Sequence, residues 1–420
     1  MPRQIKKWFT TQWPKILFFL SVIGPGIIAA NADNDAGGIS TYSIVGAHFG
    51  TKMLWALFLI TFSLAITQEM GVRIGIVTRQ GLGGVIREHF GLPWTAFAMI
   101  TMLIANLGTI TAEFAGIASS FEIFGWSKYT VLPICAFIVW VILYKGSFKN
   151  TQRIFLVFSA FYIVYIINGF VIKPDFGHAV TSLVTPTIEW TTPFLLTIIA
   201  MIGTTITPWG QFFIQSYVVD KGLDIKHYRT EKAEVYFGAF ITNIVSFFII
   251  ICAAATLFQA NISITDAKDA AIALEPLAGH FAQVLFAFGL FSASMLGAFI
   301  LPAATAYAFC EAFGWEYGFN TTWETGKAFY SIIMLSIVVP VLIVLVPNIP
   351  LVKIMLLSQD INGILLPIIL IFVMKIINDK NVMGEYTNRP ISNIIAWLTI
   401  VGIITATVIL VLSSFFGFNG

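Results

Sequence analysis

Apolar residues run along this chain in long unbroken blocks, not in the short amphipathic repeats of a water-exposed helix. A bilayer core takes about 20 apolar residues per helix. Blocks of that order fall at 16–47, 52–77, 94–120, 129–145, 152–173, 192–219, 235–258, 279–310, 328–346, 351–374 and 391–415. The pattern predicts an all-α membrane protein with about eleven transmembrane helices. Continuous runs, without alternation, argue against a β-barrel. Two blocks are interrupted by polar residues: span 1 by Asn31-Ala32-Asp33-Asn34-Asp35-Ala36-Gly37-Gly38, and span 6 by Thr204-Thr205-Ile206-Thr207-Pro208-Trp209-Gly210. Each break has an apolar half-helix on either side. They stand five spans apart, as first members of two five-span halves at about 15–173 and 190–374, with 391–415 as an accessory helix. An odd repeat length inverts the second half. Broken helices at matching positions mark a transport site between inverted repeats. The whole of 1–420 reads as a single transmembrane transporter domain.

Composition agrees with that reading. The chain is 58% hydrophobic and only 10% charged, where a water-soluble domain carries about 25% charged residues. With the N-terminus placed in the cytoplasm, eighteen of the 23 Lys and Arg residues fall in inner loops. This is the bias of the positive-inside rule, and it puts the C-terminus outside a multi-pass protein of the plasma (inner) membrane. The net charge of +2 is spread over many loops and offers no nucleic-acid surface. The expected partners are the lipid bilayer and a small substrate, with a monomer as the transport unit. Residues 1–32 have the outline of a signal peptide, but Gly24-Pro25-Gly26 interrupts the apolar stretch and the acidic break follows it. Cys135, Cys252 and Cys310 lie inside spans without metal-ligand spacing, and read as buried packing.

The chemistry concentrates in the first break. A charged Asp at mid-bilayer costs at least about 2.5–3.5 kcal/mol on insertion scales. Asp33 and Asp35 lie here with Asn31 and Asn34, and no Lys or Arg occupies the centre of any span to pair with them. Carboxylates without a fixed cation want a mobile one, a metal or a proton. Unwound backbone supplies further carbonyl oxygens, tolerated in a membrane only beside something polar. Spacing alone leaves open which Asp contacts the ion.

From Gly24 to Gly46 the sequence resembles the Nramp (natural-resistance-associated macrophage protein) divalent-metal transporters. Aligning Gly24-Pro25-Gly26 puts Asp35-Ala36-Gly37-Gly38 on the family's Asp-Pro-Gly-Asn. Gln68, Arg73, Gly75, Val77 and Thr78 resemble the end of its second span, and Leu357-Ser358-Gln359 and Met383-Gly384-Glu385 its tenth span and following loop. The resemblance implies the LeuT-type fold, alternating access, no resident cofactor, and a metal set drawn from Asp35, Asn34, Asp33, Thr204, Thr207 and Gln359. The departures are informative. The family's span 6 carries an Ala, then a Met three residues on, then Pro-His; here Thr207 replaces the Met and Trp209 the His, while Gly38 replaces the Asn of the first motif. A thioether favours softer transition metals, whereas oxygen ligands suit Mg²⁺, Ca²⁺ or Mn²⁺. A wider all-oxygen pocket suits an ion that keeps some of its water, as Mg²⁺ does. The pattern looks like the Nramp-related magnesium transporters, and the expected substrate is Mg²⁺, with Mn²⁺ as a second.

Where the resemblance implies a proton route, the family's Asp and Glu in span 3 are Ile110 and Glu113, and a His in span 6 is Gln215. Glu113 is left as an isolated buried carboxyl or as the partner of a neighbour such as Arg73. Uncoupled transport is expected, with Glu113, Trp209 and Gln215 as gating or coupling residues. The alternatives are a proton-coupled Mn²⁺/Fe²⁺ transporter and an amino-acid or organic-cation symporter on the same fold. The acidic break argues against the last, since it repels a substrate carboxylate. No catalytic His pair, nucleophile elbow or phosphate loop points to an enzyme. The five His residues fall near span ends or in loops, Asp269 and Glu275 read as solvated helix caps, and Asn106, Asn168, Asn243 and Asn362 as interhelical hydrogen-bonders.

Overall fold

A computed structural model describes residues 34–145, 163–319 and 321–416. Its helices are α1 Ala36–Phe49, α2 Leu54–Thr78, α3 Leu82–Phe90, α4 Leu92–Glu122, α5 Lys128–Lys145, α6 Ile163–Ile172, α7 Phe176–Ser182, α8 Thr192–Thr205, α9 Pro208–Asp220, α10 Tyr228–Ala253, α11 Ala267–Ala271, α12 Glu275–Ala278, α13 Ala282–Phe313, α14 Lys327–Leu345, α15 Leu351–Asn378, α16 Lys380–Met383 and α17 Pro390–Phe416. Among the described residues, nine helical stretches are long and apolar enough to cross a membrane, with α8 and α9 taken as one stretch. The first half of span 1, with Asn31 and Asp33, and the first part of span 5 lie outside the described residues.

Helix is the form these apolar runs must take, because each segment then satisfies its own backbone groups without water. Their outward faces are large and apolar: Phe58, Leu59 and Phe62 on α2, Trp94, Phe97 and Ile100 on α4, Leu335, Val338 and Leu342 on α14. Bands of this kind are lipid-facing surface, and the chain is a multi-pass membrane protein. α1 is buried from Ala36 to Ala47, at the centre of the molecule. α10, α15, α8, α4 and α13 pack on it; α15 also packs on α4 and α8, α4 on α13, and α2 on α9 and α10.

Several boundaries differ from the sequence expectation. The span 6 break is confined to Ile206 and Thr207, with Pro208 opening α9. Proline suits that first position, where its missing N–H would be unpaired anyway. The seventh span starts at Tyr228, seven residues early, because the polar turns around Glu231 continue the helix beyond the apolar run. The eighth starts at Ala282, after the short α11 and α12.

A polar cluster ties α2, α10 and the segment before α17. Arg73 Nη2 donates to Glu69 Oε2 at 3.1 Å, and its guanidinium also donates to the Thr387 carbonyl at 3.1 Å and to Asn388 Oδ1. The Tyr228 hydroxyl donates to the other Glu69 oxygen. Arg73 is therefore the partner of Glu69 and not of Glu113. Outside the spans, His89 Nε2 lies 2.7 Å from Asp379 Oδ2, and that contact holds the Asp379 carboxyl below the usual carboxylate range. Asp266 and Asp269 form a reciprocal cap at the start of α11, in line with the cap reading for Asp269.

Candidate functional site

Asp35 is the residue that caps the described helix of span 1, α1. The first N–H groups of a helix lack intrahelical partners, and Asp is a favoured residue for satisfying one of them. Its Oδ1 accepts from Gly38 N at 2.7 Å, and the side chain is buried. Glu113, fully buried on α4, faces it. The two carboxyl groups lie within hydrogen-bonding reach, and Glu113 Oε2 accepts from Ala36 N at 3.4 Å. Glu113 Oε1 finds no hydrogen-bond partner among the described residues. The space for this carboxyl comes from Gly297 on α13, where a Cβ would stand 2.4 Å from Glu113 Cδ.

Gln359 reaches α1 from α15. A Cβ on Gly37 would lie 1.8 Å from Gln359 Nε2, so only glycine lets this amide approach the turn that Asp35 caps. On the span 6 side, Thr205 Oγ1 and the Tyr42 hydroxyl of α1 are 2.6 Å apart, and Gly203 packs on the Gln359 backbone. Thr204 lies between those two contacts, fully buried, its hydroxyl oxygen without a hydrogen-bond partner among the described residues. Thr207 caps α9, its Oγ1 accepting from Gly210 N at 3.2 Å.

The structure thus gathers Asp35, Glu113 and the Gln359 amide around the start of α1, with Thr204 on α8 between residues that touch Gln359 and Tyr42, and Thr207 at the adjoining break. Asn34 is placed differently. Its Nδ2 donates to Thr242 Oγ1 at 2.6 Å and its Oδ1 accepts from Ser246 Oγ at 3.0 Å, so both ends of the amide are taken by α10. Asn34 anchors the break. Asp33 lies outside the described residues. Trp209 is buried and makes an edge contact with Phe213, ring centroids 5.7 Å apart, in the first turns of α9. Gln215 lies two turns along α9 against α2, beside Gly71 and Gly75, fully buried. That is about 12 Å from Thr207 at 1.5 Å per residue, apart from the carboxyl pair.

Three of the four intramembrane asparagines bridge helices as expected: Asn106 donates to Thr305 Oγ1 at 2.7 Å, Asn168 to the Ala273 carbonyl at 2.7 Å and Asn362 to Thr109 Oγ1 at 2.8 Å. Asn243 instead donates to Ala239 of its own helix. Sequence reasoning passed over Asp360, buried on α15 beside Gln359. A carboxylate within an apolar block was the available signal. Toward the Glu122 end of α4, a cavity of about 270 Å³ is lined by Ser119, Glu122, Asp266 and Leu351, among others. Among the described residues no group of three or more His, Cys, Asp or Glu is arranged to hold a metal. The ligands on offer are one or two carboxylates with hydroxyl and amide oxygens. Met355, one turn from Gln359, accepts a hydrogen bond from Ser40 on its sulfur.

A family model described as natural resistance-associated macrophage protein-like matches residues 26–413. Among solved structures, the Eremococcus coleocola manganese transporter in complex with an aromatic bis-isothiourea substituted compound is similar, with a TM-score of 0.74 at 18% identity, over 96% of this chain and 90% of that one. MhsT in complex with L-phenylalanine gives a TM-score of 0.59 at 15% identity, over 92% and 98% of the two chains. A Na⁺-coupled sialic acid symporter gives 0.54 at 12% identity, over 94% and 96%. At such identities the likeness is one of fold, and the fold is the LeuT type with its broken first and sixth helices.

Proposed function

The chain belongs to the Nramp family, and on that premise we propose that it is a secondary transporter of divalent metal cations, Mg²⁺ first and Mn²⁺ second. It works by alternating access between two inverted five-helix repeats in the plasma membrane, with the N-terminus in the cytoplasm. One observation carries the reading: the buried carboxyls of Asp35 and Glu113 meet at the start of α1, with the Gln359 amide against Gly37 and no Lys or Arg among them. Two facing carboxyls invite a dication. Thr207 at the span 6 break keeps the set free of the thioether that selects softer metals. An amino-acid substrate, such as the one bound in MhsT, would bring its own carboxylate against Asp35 and Glu113, which disfavours that class here.

Coupling to protons is not required. Ile110 and Gln215 cannot titrate, and Glu113 is the carboxyl that remains. The membrane potential contributes about 2.3 kcal/mol per charge per 100 mV, so a dication at 150 mV gains about 7 kcal/mol. That suffices for strong inward accumulation.

The test is ion flux into proteoliposomes holding a Mg²⁺-sensitive dye, with and without external Mn²⁺, for the wild type and Asp35→Ala. Mg²⁺ entry that is lost in Asp35→Ala is the expected result. Uptake of Mn²⁺ with no Mg²⁺ entry would return the chain to transition-metal transport.

A further inference from the structure

Asn362 sits one turn along α15 from Gln359 and is fully buried. Both protons on its amide nitrogen are committed: Nδ2 donates to Gln359 Oε1 at 3.0 Å and to Thr109 Oγ1 on α4 at 2.8 Å. Its oxygen, Oδ1, finds no hydrogen-bond partner among the described residues. Asn106, Asn168 and Asn243 also leave Oδ1 unpaired, but their amide nitrogens hold only a neighbouring helix or their own. Asn362 differs in gripping a candidate ligand.

Buried acceptors in native proteins are almost always satisfied, and an exception calls for a water or an ion. Three such acceptors are Asn362 Oδ1 on α15, Thr204 Oγ1 on α8 and Glu113 Oε1 on α4, the last beside the first turn of α1. These three helices all pack on α1. A bare cation has no proton to offer an acceptor. A cation that keeps its waters does, because the O–H groups of metal-bound water point outward as strong donors. A carbonyl oxygen has two lone pairs, so Gln359 Oε1 can accept from Asn362 and keep a lone pair for an ion or its water.

We propose that Asn362 is a selectivity-determining residue for the transported dication: through Nδ2 it positions Gln359, and through Oδ1 it accepts a hydrogen bond from a water that the ion retains. The proposal rests on the transport reading above and names the residue that favours an ion arriving with part of its hydration shell. Mg²⁺ dehydrates reluctantly, so loss of this outer acceptor penalises Mg²⁺ more than Mn²⁺. A role confined to helix packing would lower the uptake of both ions alike.

Uptake of Mg²⁺ and of Mn²⁺ is measured separately in proteoliposomes of the full chain, for the wild type, Asn362→Leu, Asn362→Ser and Thr109→Val. Asn362→Leu is expected to raise KM for Mg²⁺ about tenfold, the factor carried by one good hydrogen bond, and to change KM for Mn²⁺ far less. Asn362→Ser, which keeps an oxygen acceptor, falls between it and the wild type. Thr109→Val, nearly isosteric, shifts the ratio in the same direction by less, and decides the matter if Asn362→Leu does not fold. An unchanged Mg²⁺/Mn²⁺ ratio alongside Mg²⁺ uptake by the wild type overturns this proposal alone. Absence of Mg²⁺ uptake by the wild type overturns the transport reading and this proposal with it.

Discussion

Thr207 shows how one side chain serves backbone and site at once. As the cap of α9 it accepts from Gly210 N, and as the residue at the break it is the one proposed to set the softness of the donor set. Replacing it with Met removes the cap, at a cost of about 1 kcal/mol, and adds a sulfur. Thr207→Met is expected to leave Mg²⁺ uptake no better than wild type while making it more sensitive to competition by Cd²⁺, measured as the Cd²⁺ concentration that halves Mg²⁺ entry. Improved Mg²⁺ uptake would show that ligand softness does not govern this site. Asn34 is the complementary case. Its place beside Asp35 suggested a ligand, yet its amide is bonded at both ends to Thr242 and Ser246, more than two hundred positions away in sequence. No property of the Asn34 neighbourhood could have revealed that.

At the scale of elements, the charged pair Arg73 and Glu69 joins α2 to α10 through Tyr228 and to the approach of α17 through Asn388. Side-chain exposure is 7% and 2% for the two residues, so the pair is essentially out of water. Removing one member of a buried pair leaves the other uncompensated, at a cost of about 3–5 kcal/mol, whereas an apolar replacement of both is often nearly neutral. Arg73→Met alone is expected to lower the melting temperature of the purified protein clearly, and Arg73→Met with Glu69→Met to recover most of the loss. Equal losses in both variants would mean that the pair does not act as a unit. Spacing on α2 placed Glu69 and Arg73 on one helix face, four residues apart, a geometry that favours pairing. That spacing was available in the sequence, where Arg73 was expected beside Glu113 instead; the contacts to Tyr228, Thr387 and Asn388 were not readable, because they join elements far apart in sequence.

For the molecule as a whole, the proposed transport draws its driving force from the ion's own charge in the membrane potential. Proteoliposomes loaded with a pH-sensitive dye should show no acidification during Mg²⁺ uptake, and Glu113→Gln, which removes one of the two carboxyls offered to the ion, should weaken Mg²⁺ uptake without making the remainder depend on a proton gradient. Acidification that tracks uptake would establish proton coupling through the remaining carboxyl. The sequence by itself determined the membrane class, the helical fold, the approximate position of both breaks and the acidic character of the first. Those follow from local physics: apolar length against bilayer thickness, and the expense of a carboxylate in lipid. Only the tertiary structure decided which polar groups share a pocket. It set Glu113 against Asp35 and not Arg73, gave Asn34 to α10, and turned Asn362 toward Gln359. Such contacts depend on how helices rotate and how closely glycines such as Gly37 and Gly297 let them approach, and packing of the complete bundle fixes both.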